Sequence, residues 1–153
     1  MKANRLLLPG DTIALATPIF TPYIEMTHLE DYDLKVVQIR APQENKFQFT
    51  DEEIKKLEDP KVKAFFVVNP SNPPGMALSK ETIAKLANLV KTKRPDLMIL
   101  TDDVYGTFVH GFRSLFGEIR TTQSASTPTR NISGAPDGGL ALSPFMKTTF
   151  LTR

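Results

Sequence analysis

Two short apolar runs, Ala64–Val68 (A-F-F-V-V) and Leu97–Leu100 (L-M-I-L), frame the clearest pattern in the chain. Turn residues bound both runs, and between them Ile83, Leu86, Ala87 and Val90 recur at helical spacing on one face. Ser79 is placed to cap the start of that helix, and Glu81 suits its positive end. Lys91, Lys93 and Arg94 complement the dipole in the last turn, and Pro95 ends it. Strand, helix and strand in this order predict a βαβ unit with both strands buried in a parallel sheet. The fold class is α/β, a mostly parallel sheet with flanking helices.

The same reading extends upstream. Ile13–Ala16 follows a P-G-D turn and predicts a strand, while the prolines of T-P-I-F-T-P-Y forbid continued ladder pairing. Ile24–Leu29 predicts a helix and Leu34–Ile39 a strand; Met1–Leu8 reads as a helix end stopped by Pro9-Gly10. Thr50-Asp51-Glu52-Glu53 has the form of a capping box, with Ile54 and Leu57 a turn apart, and Asp59-Pro60 closes that helix. Its acids and lysines read as a solvated face.

Each strand of the βαβ unit runs into polar residues at its carboxyl end: Asn69 and Asn72 after the first, Asp102 and Tyr105 after the second. Ligands of open α/β sheets bind at that edge, so these four are the first candidates for chemistry. The residues that surround them, N-P-S-N-P-P-G followed by T-D-D-V-Y, resemble the pyridoxal-phosphate (PLP) enzymes of the aminotransferase fold, with signatures N-P-x-N-P-T-G and D-x-x-Y. G-D-T-I-A-L-A-T-P-I-F-T-P-Y-I-E, together with L-T-D-D-V-Y-G-T-F-V-H-G-F-R-S-L, is similar in wording to the aspartate 4-decarboxylase branch. The resemblance covers roughly Leu6 to Ile119.

It implies part of a three-layer sandwich, the PLP-binding large domain, over 1–120, and a set of cofactor-binding residues. Asp102 matches the carboxylate that keeps the pyridine nitrogen protonated. Its neighbour Asp103 cannot share the role, because successive strand side chains face opposite ways. Tyr105 and Asn72 match the residues that hydrogen-bond the phenolic oxygen from two sides, and Phe20 matches the ring that stacks on the cofactor. Without the resemblance, Phe20 and Tyr23 read equally well as core under a loop, Asp102 as a turn cap and Asn72 as support for a proline-rich bend. Arg113, in G-F-R-S-L, either meets a carboxylate or a partner subunit or is an exposed arginine. The implied chemistry is conversion of L-aspartate to L-alanine and CO2, with aminotransferase activity alongside. The alternatives are a fragment of another class I/II aminotransferase, or a non-catalytic PLP-binding or dimerising remnant. The family's members are homo-oligomers that act on small-molecule amino-acid substrates.

Composition narrows the rest. A formal net charge of +2, from 19 basic and 17 acidic residues spread along the chain, makes no case for nucleic acid. No cysteine and two distant histidines, His28 and His110, leave no metal site or disulfide framework. No apolar span suggests a membrane segment, so a cytoplasmic protein is expected.

The tail departs from this pattern. Between 121 and 153 only Arg130, Asp137, Lys147 and Arg153 are charged, and no periodicity is visible, which predicts a poorly ordered tail. The family continues here with S-x-S-K-Y-x-G, whose lysine forms the Schiff base, and T-G-W-R, whose arginine reads the substrate. Neither motif is present, so no catalytic lysine is assigned, and Lys147 stands in unrelated sequence. In a neighbouring reading frame, codons spanning Pro128–Gly134 can encode Y-S-K-Y-F-G, and those spanning Ala135–Gly139 can encode T-G-W-R. The tail is therefore expected to be a frameshifted copy of the lysine-bearing segment, and the chain to be an inactive fragment on its own.

Overall fold

The computed structural model describes residues 7–30, 33–123 and 148–150. Five strands form one sheet: β1 (Thr12–Thr17), β2 (Lys35–Arg40), β3 (Val62–Val68), β4 (Met98–Asp102) and β5 (Thr148–Phe150). Their order is β2-β1-β3-β4-β5; the first four run parallel, and β5 pairs antiparallel with β4. The helices are α1 (Thr21–Thr27), α2 (Asp51–Lys55), α3 (Lys80–Thr92) and α4 (Leu115–Gln123). Among the described residues no helix is long and apolar enough to cross a membrane.

The period-2 alternation of the strands sorts the core into two faces. Ala14, Phe65, Val67 and Ile99 join one buried cluster with Ile83, Leu86 and Val90 of α3 and Leu115 and Ile119 of α4. The other face carries Ile13, Ala64 and Met98, then Leu15, Phe66 and Val68 toward the carboxyl end, where Tyr23 and Ile24 of α1 cover them. Helices thus flank the sheet on both sides. Side chains as deeply buried as Phe65 at 0 % and Leu86 and Ile99 at 1 % exposure each contribute about 2 kcal/mol.

The expected βαβ unit is β3-α3-β4. Ser79 caps α3 by accepting from the Thr82 N–H at 3.1 Å, and Ile83, Leu86, Ala87 and Val90 are all buried. The cations after α3 act differently from expectation. Lys93 pairs with Glu58, and Arg94 is buried with its guanidinium on the carbonyls of Leu57, Asp59 and Val62 rather than on carbonyls of α3. Helix α1 begins at Thr21, ahead of the expected Ile24, because Pro22 sits in its first turn, where the missing N–H has no helical partner anyway. Thr50 caps α2 by accepting from Glu53 N–H, but Glu53 does not close the box; its carboxylate takes the Arg40 N–H at 2.7 Å and pairs with Lys56. Burial, the largest influence, pushes the Glu53 carboxyl up, but the Arg40 N–H and then Lys56 hold it below its ordinary range.

Most of the Met1–Leu8 stretch lies outside the described residues. Helix α4 crosses the expected boundary at 120, and β5 lies within the tail; the rest of the tail, including the 124–147 stretch, is outside the described residues.

Candidate active site

The carboxyl ends of β1, β3 and β4 lie side by side, with Leu15 opposite Phe66 and Val68 opposite Asp102 in the parallel registers. Each strand there releases a loop that bears a predicted residue. β1 leads through Pro18 and Ile19 to Phe20 at the start of α1. β3 leads to Asn69 and Asn72, and β4 ends in Asp102 and is followed by Tyr105.

Asp102 is 3 % exposed. Its Oδ2 accepts from the Tyr23 hydroxyl at 2.6 Å and its Oδ1 from the Val104 N–H at 3.1 Å. Burial pushes the Tyr23 phenol well above the usual tyrosine range, and both the hydrogen bond to Asp102 and that carboxylate's charge push the same way. Tyr23 is thereby fixed as a donor. A carboxylate offers about four acceptor positions, and among the described residues Tyr23 and Val104 occupy two. Asp103 turns to other partners, Thr101 Oγ1 at 2.6 Å and Ser114 Oγ, so the two adjacent aspartates do separate work.

Asn72 and Tyr105 meet directly: the Asn72 amide donates to the Tyr105 oxygen at 3.3 Å. This contact consumes an acceptor on Tyr105 and leaves its O–H proton, with the second Asn72 N–H, to donate elsewhere. Asn72 is half-buried and Tyr105 is 39 % exposed, so both are open to a ligand. The Asn72 loop is held by a turn in which Gly75 N–H reaches the Ser71 carbonyl at 2.7 Å. Gly75 there has φ +70°, the left-handed conformation that glycine adopts without strain.

Phe20 is half-exposed and meets Tyr23 edge-on, with ring centroids 6.2 Å apart. Tyr23 in turn leans on Phe66 at 4.8 Å. The structure therefore brings Phe20, Tyr23 and Asp102 into one chain of contacts and Asn72 and Tyr105 into another. No described lysine hydrogen-bonds to any of these side chains. Arg113 is exposed, 3.9 Å from Glu118. Sequence reasoning missed Tyr23 as a partner of Asp102. No local signal could have found it, since the two residues lie 79 apart in the chain.

Comparison with known proteins decides the family. The aminotransferase class I and II family model matches residues 3–129. The chain belongs to that family. Over 116 residues it is 50 % identical to a bifunctional aspartate aminotransferase and L-aspartate beta-decarboxylase from Pseudomonas sp., a match that covers 76 % of this chain and 22 % of that protein. Among solved structures, alanine aminotransferase from Pyrococcus furiosus superposes with a TM-score of 0.53 at 23 % identity, covering 75 % of this chain and 38 % of its own. Cystalysin from Treponema denticola, whose structure contains a pyridoxal 5'-phosphate cofactor, superposes with a TM-score of 0.53 at 14 % identity, covering 79 % of this chain and 41 % of its own. At these identities the structural matches establish the fold, which is the α/β fold of the PLP-dependent transferases. The family member described here matches about a fifth of the length of the Pseudomonas relative.

Proposed function

We propose that Asp102, Asn72, Tyr105 and Phe20 hold pyridoxal 5'-phosphate, the cofactor that cystalysin contains. The observation that carries this reading is the buried carboxylate of Asp102, fixed by Tyr23 and Val104, at the sheet edge that also bears the Asn72–Tyr105 pair. The donor set suits the group. A pyridinium N–H needs a buried acceptor with capacity left, which Asp102 offers. An anionic ring oxygen needs convergent donors, which Asn72 and Tyr105 supply; a flat ring needs an apolar face, which Phe20 presents. When bound, the cofactor supplies an electron sink for bonds broken at amino-acid carbons.

In the protein of which this chain spans a part, the substrate is an amino acid, L-aspartate in the first place, as for the Pseudomonas relative. The net change is cleavage of the bond between the β-carbon and its carboxylate. CO2 leaves, the β-carbon takes a proton, and L-alanine results. Asp102 holds the proton at the ring nitrogen, Tyr23 keeps Asp102 oriented, and Asn72 and Tyr105 stabilise negative charge on the ring oxygen. The intact protein acts as a cytoplasmic homo-oligomer, and residues 121–153 are a frameshifted reading of the lysine-bearing segment. On its own the chain binds the cofactor without a covalent link and does not turn over substrate. The nucleotide sequence tests the tail: the neighbouring frame encodes S-K-Y and T-G-W-R, or that part of the proposal is wrong.

Titration of the chain with pyridoxal phosphate, followed by absorbance with and without borohydride reduction, tests the rest. Saturable binding with no reducible adduct is expected. Asp102→Asn, which keeps the shape but cannot hold the charged ring nitrogen, should weaken binding at least tenfold, equivalent to about 1.4 kcal/mol. Equal affinity in wild type and Asp102→Asn would remove Asp102 from the site.

A further inference from the structure

The two donors that meet at the sheet edge belong to different loops. Residues 69–79, between β3 and α3, carry Asn72; residues 103–114, between β4 and α4, carry Tyr105. Each loop is braced within itself. In the first, Ser71 Oγ donates to the Met76 carbonyl at 3.0 Å, and the Met76 N–H returns to Ser71 Oγ at 3.3 Å. In the second, Asp103 reaches across to Ser114 at the far end, and the Phe112 ring lies over Gly106 so closely that a Cβ there would stand 2.6 Å from it. Such braces fix the shape of each loop but say nothing of how one sits against the other.

One side chain reaches both. Asn69 is 1 % exposed at the exit of β3. Its Oδ1 accepts from the Leu78 N–H at 2.9 Å, near the end of the first loop, and its Nδ2 donates to the Arg113 carbonyl at 3.5 Å, near the end of the second. Its own N–H carries the ladder on to the Asp102 carbonyl at 2.8 Å. The bond to Arg113 is long, and in water it would count for little. Asn69 itself is buried, so losing the bond leaves its amide without a partner.

We infer that Asn69 is a positioning residue: its amide sets the β3–α3 loop against the β4–α4 loop, and so fixes the distance between Asn72 and Tyr105 and the ability of both to donate to one ligand oxygen. The inference rests on the proposal that this pair binds the phenolic oxygen of pyridoxal phosphate. Asn69 touches no reacting atom; it acts through the two loops.

Asn69→Asp separates the two halves of the tie. It keeps an acceptor for Leu78 N–H but turns the donor to Arg113 into an oxygen that repels that carbonyl. Asn69→Ser, whose hydroxyl can satisfy one loop but is too short to span both, serves if the aspartate variant does not fold. Two readouts apply. In the cofactor-free chain labelled with ring-13C tyrosine, with Tyr105 assigned by loss of its signal in Tyr105→Phe, the Tyr105 resonance should move in the same direction as in Asn72→Ala, while Tyr23 stays in place. With pyridoxal phosphate bound, affinity should fall about tenfold. The pH at which the bound chromophore's phenol titrates should rise, as it should in Asn72→Ala, and the double variant should go little beyond the larger single effect. A variant that melts earlier but leaves both the Tyr105 resonance and the chromophore titration at their wild-type values would reduce Asn69 to a structural role and overturn the inference. If the wild-type chain binds no pyridoxal phosphate, the proposed function fails while the Tyr105 resonance still decides the role of Asn69.

Discussion

Arg94 and Asp102, two buried side chains of opposite charge, stand at opposite ends of the sheet and are satisfied in different ways. At the amino end, Arg94 is 4 % exposed. Its Nη1 donates to the carbonyls of Leu57 and Asp59, its Nη2 to the carbonyl of Val62 and to Asp96, and its Nε to Asp96 again. A guanidinium has five N–H donors, and here every one is spent on the protein itself. At the carboxyl end, Asp102 accepts from Tyr23 and Val104 and keeps acceptor capacity in reserve. The comparison separates two uses of a buried charge. A saturated ion holds structure: Arg94 ties the end of α3 to the segment that enters β3. An ion left partly unsaturated, at the edge where strands release their loops, is one that a ligand can complete.

This contrast can be broken by measurement, and the largest effect belongs to Arg94. Arg94→Ala takes its donors from the buried carbonyls of Leu57 and Val62, while that of Asp59 keeps the Val62 N–H, and should cost about 4 kcal/mol of stability in urea denaturation, at one to a few kcal/mol for each buried group that loses its partner. Arg94→Lys should recover less than half of that, since an ammonium has three donors and no planar fork. Asp102→Asn retains a carbonyl oxygen to accept from Tyr23 and should change stability by only about 1 kcal/mol, while removing most of the cofactor affinity. A loss of stability from Asp102→Asn as large as that from Arg94→Ala would make both ions structural.

The residues explain which of these roles the sequence could disclose. The βαβ unit was legible because its signals are local: Ser79 three residues before the N–H it caps, Ile83, Leu86 and Val90 on one helical face, and apolar runs bounded by turns. The division of labour between Asp102 and Asp103 was legible for the same reason, since side-chain alternation along a strand is a nearest-neighbour rule. Arg94 was not. A cation after a helix fits the dipole rule, and nothing local reveals that its partners Leu57 and Val62 lie 37 and 32 residues back. Glu53 was half legible, as the box motif gave the Thr50 cap but not the carboxylate's turn toward Arg40. Tyr23 lies 79 residues from Asp102, and a hydrogen bond across that separation leaves no period in the chain. Topology joins such pairs.

A sharper test concerns the bond that orients Asp102. Tyr23→Phe deletes the donor to Oδ2 and keeps the ring on Phe66, so it should cost about 1–2 kcal/mol at neutral pH, the worth of a hydrogen bond to a charged group. Its pH dependence tests whether the folded chain holds the Tyr23 proton more tightly. Burial, then the hydrogen bond to Asp102 and that carboxylate's charge, raise the Tyr23 phenol above its ordinary value of 10.0 in the folded chain. The folded state therefore holds this proton more tightly than the unfolded state does. The resulting stability is fully present below about 10 and declines as pH rises further, because the unfolded chain loses its proton first. The wild type should lose stability more steeply than Tyr23→Phe above that pH, and the two curves should converge. Parallel curves through the alkaline range would mean that Tyr23 is not held by Asp102 in solution, and the carboxylate's orientation would then need another source.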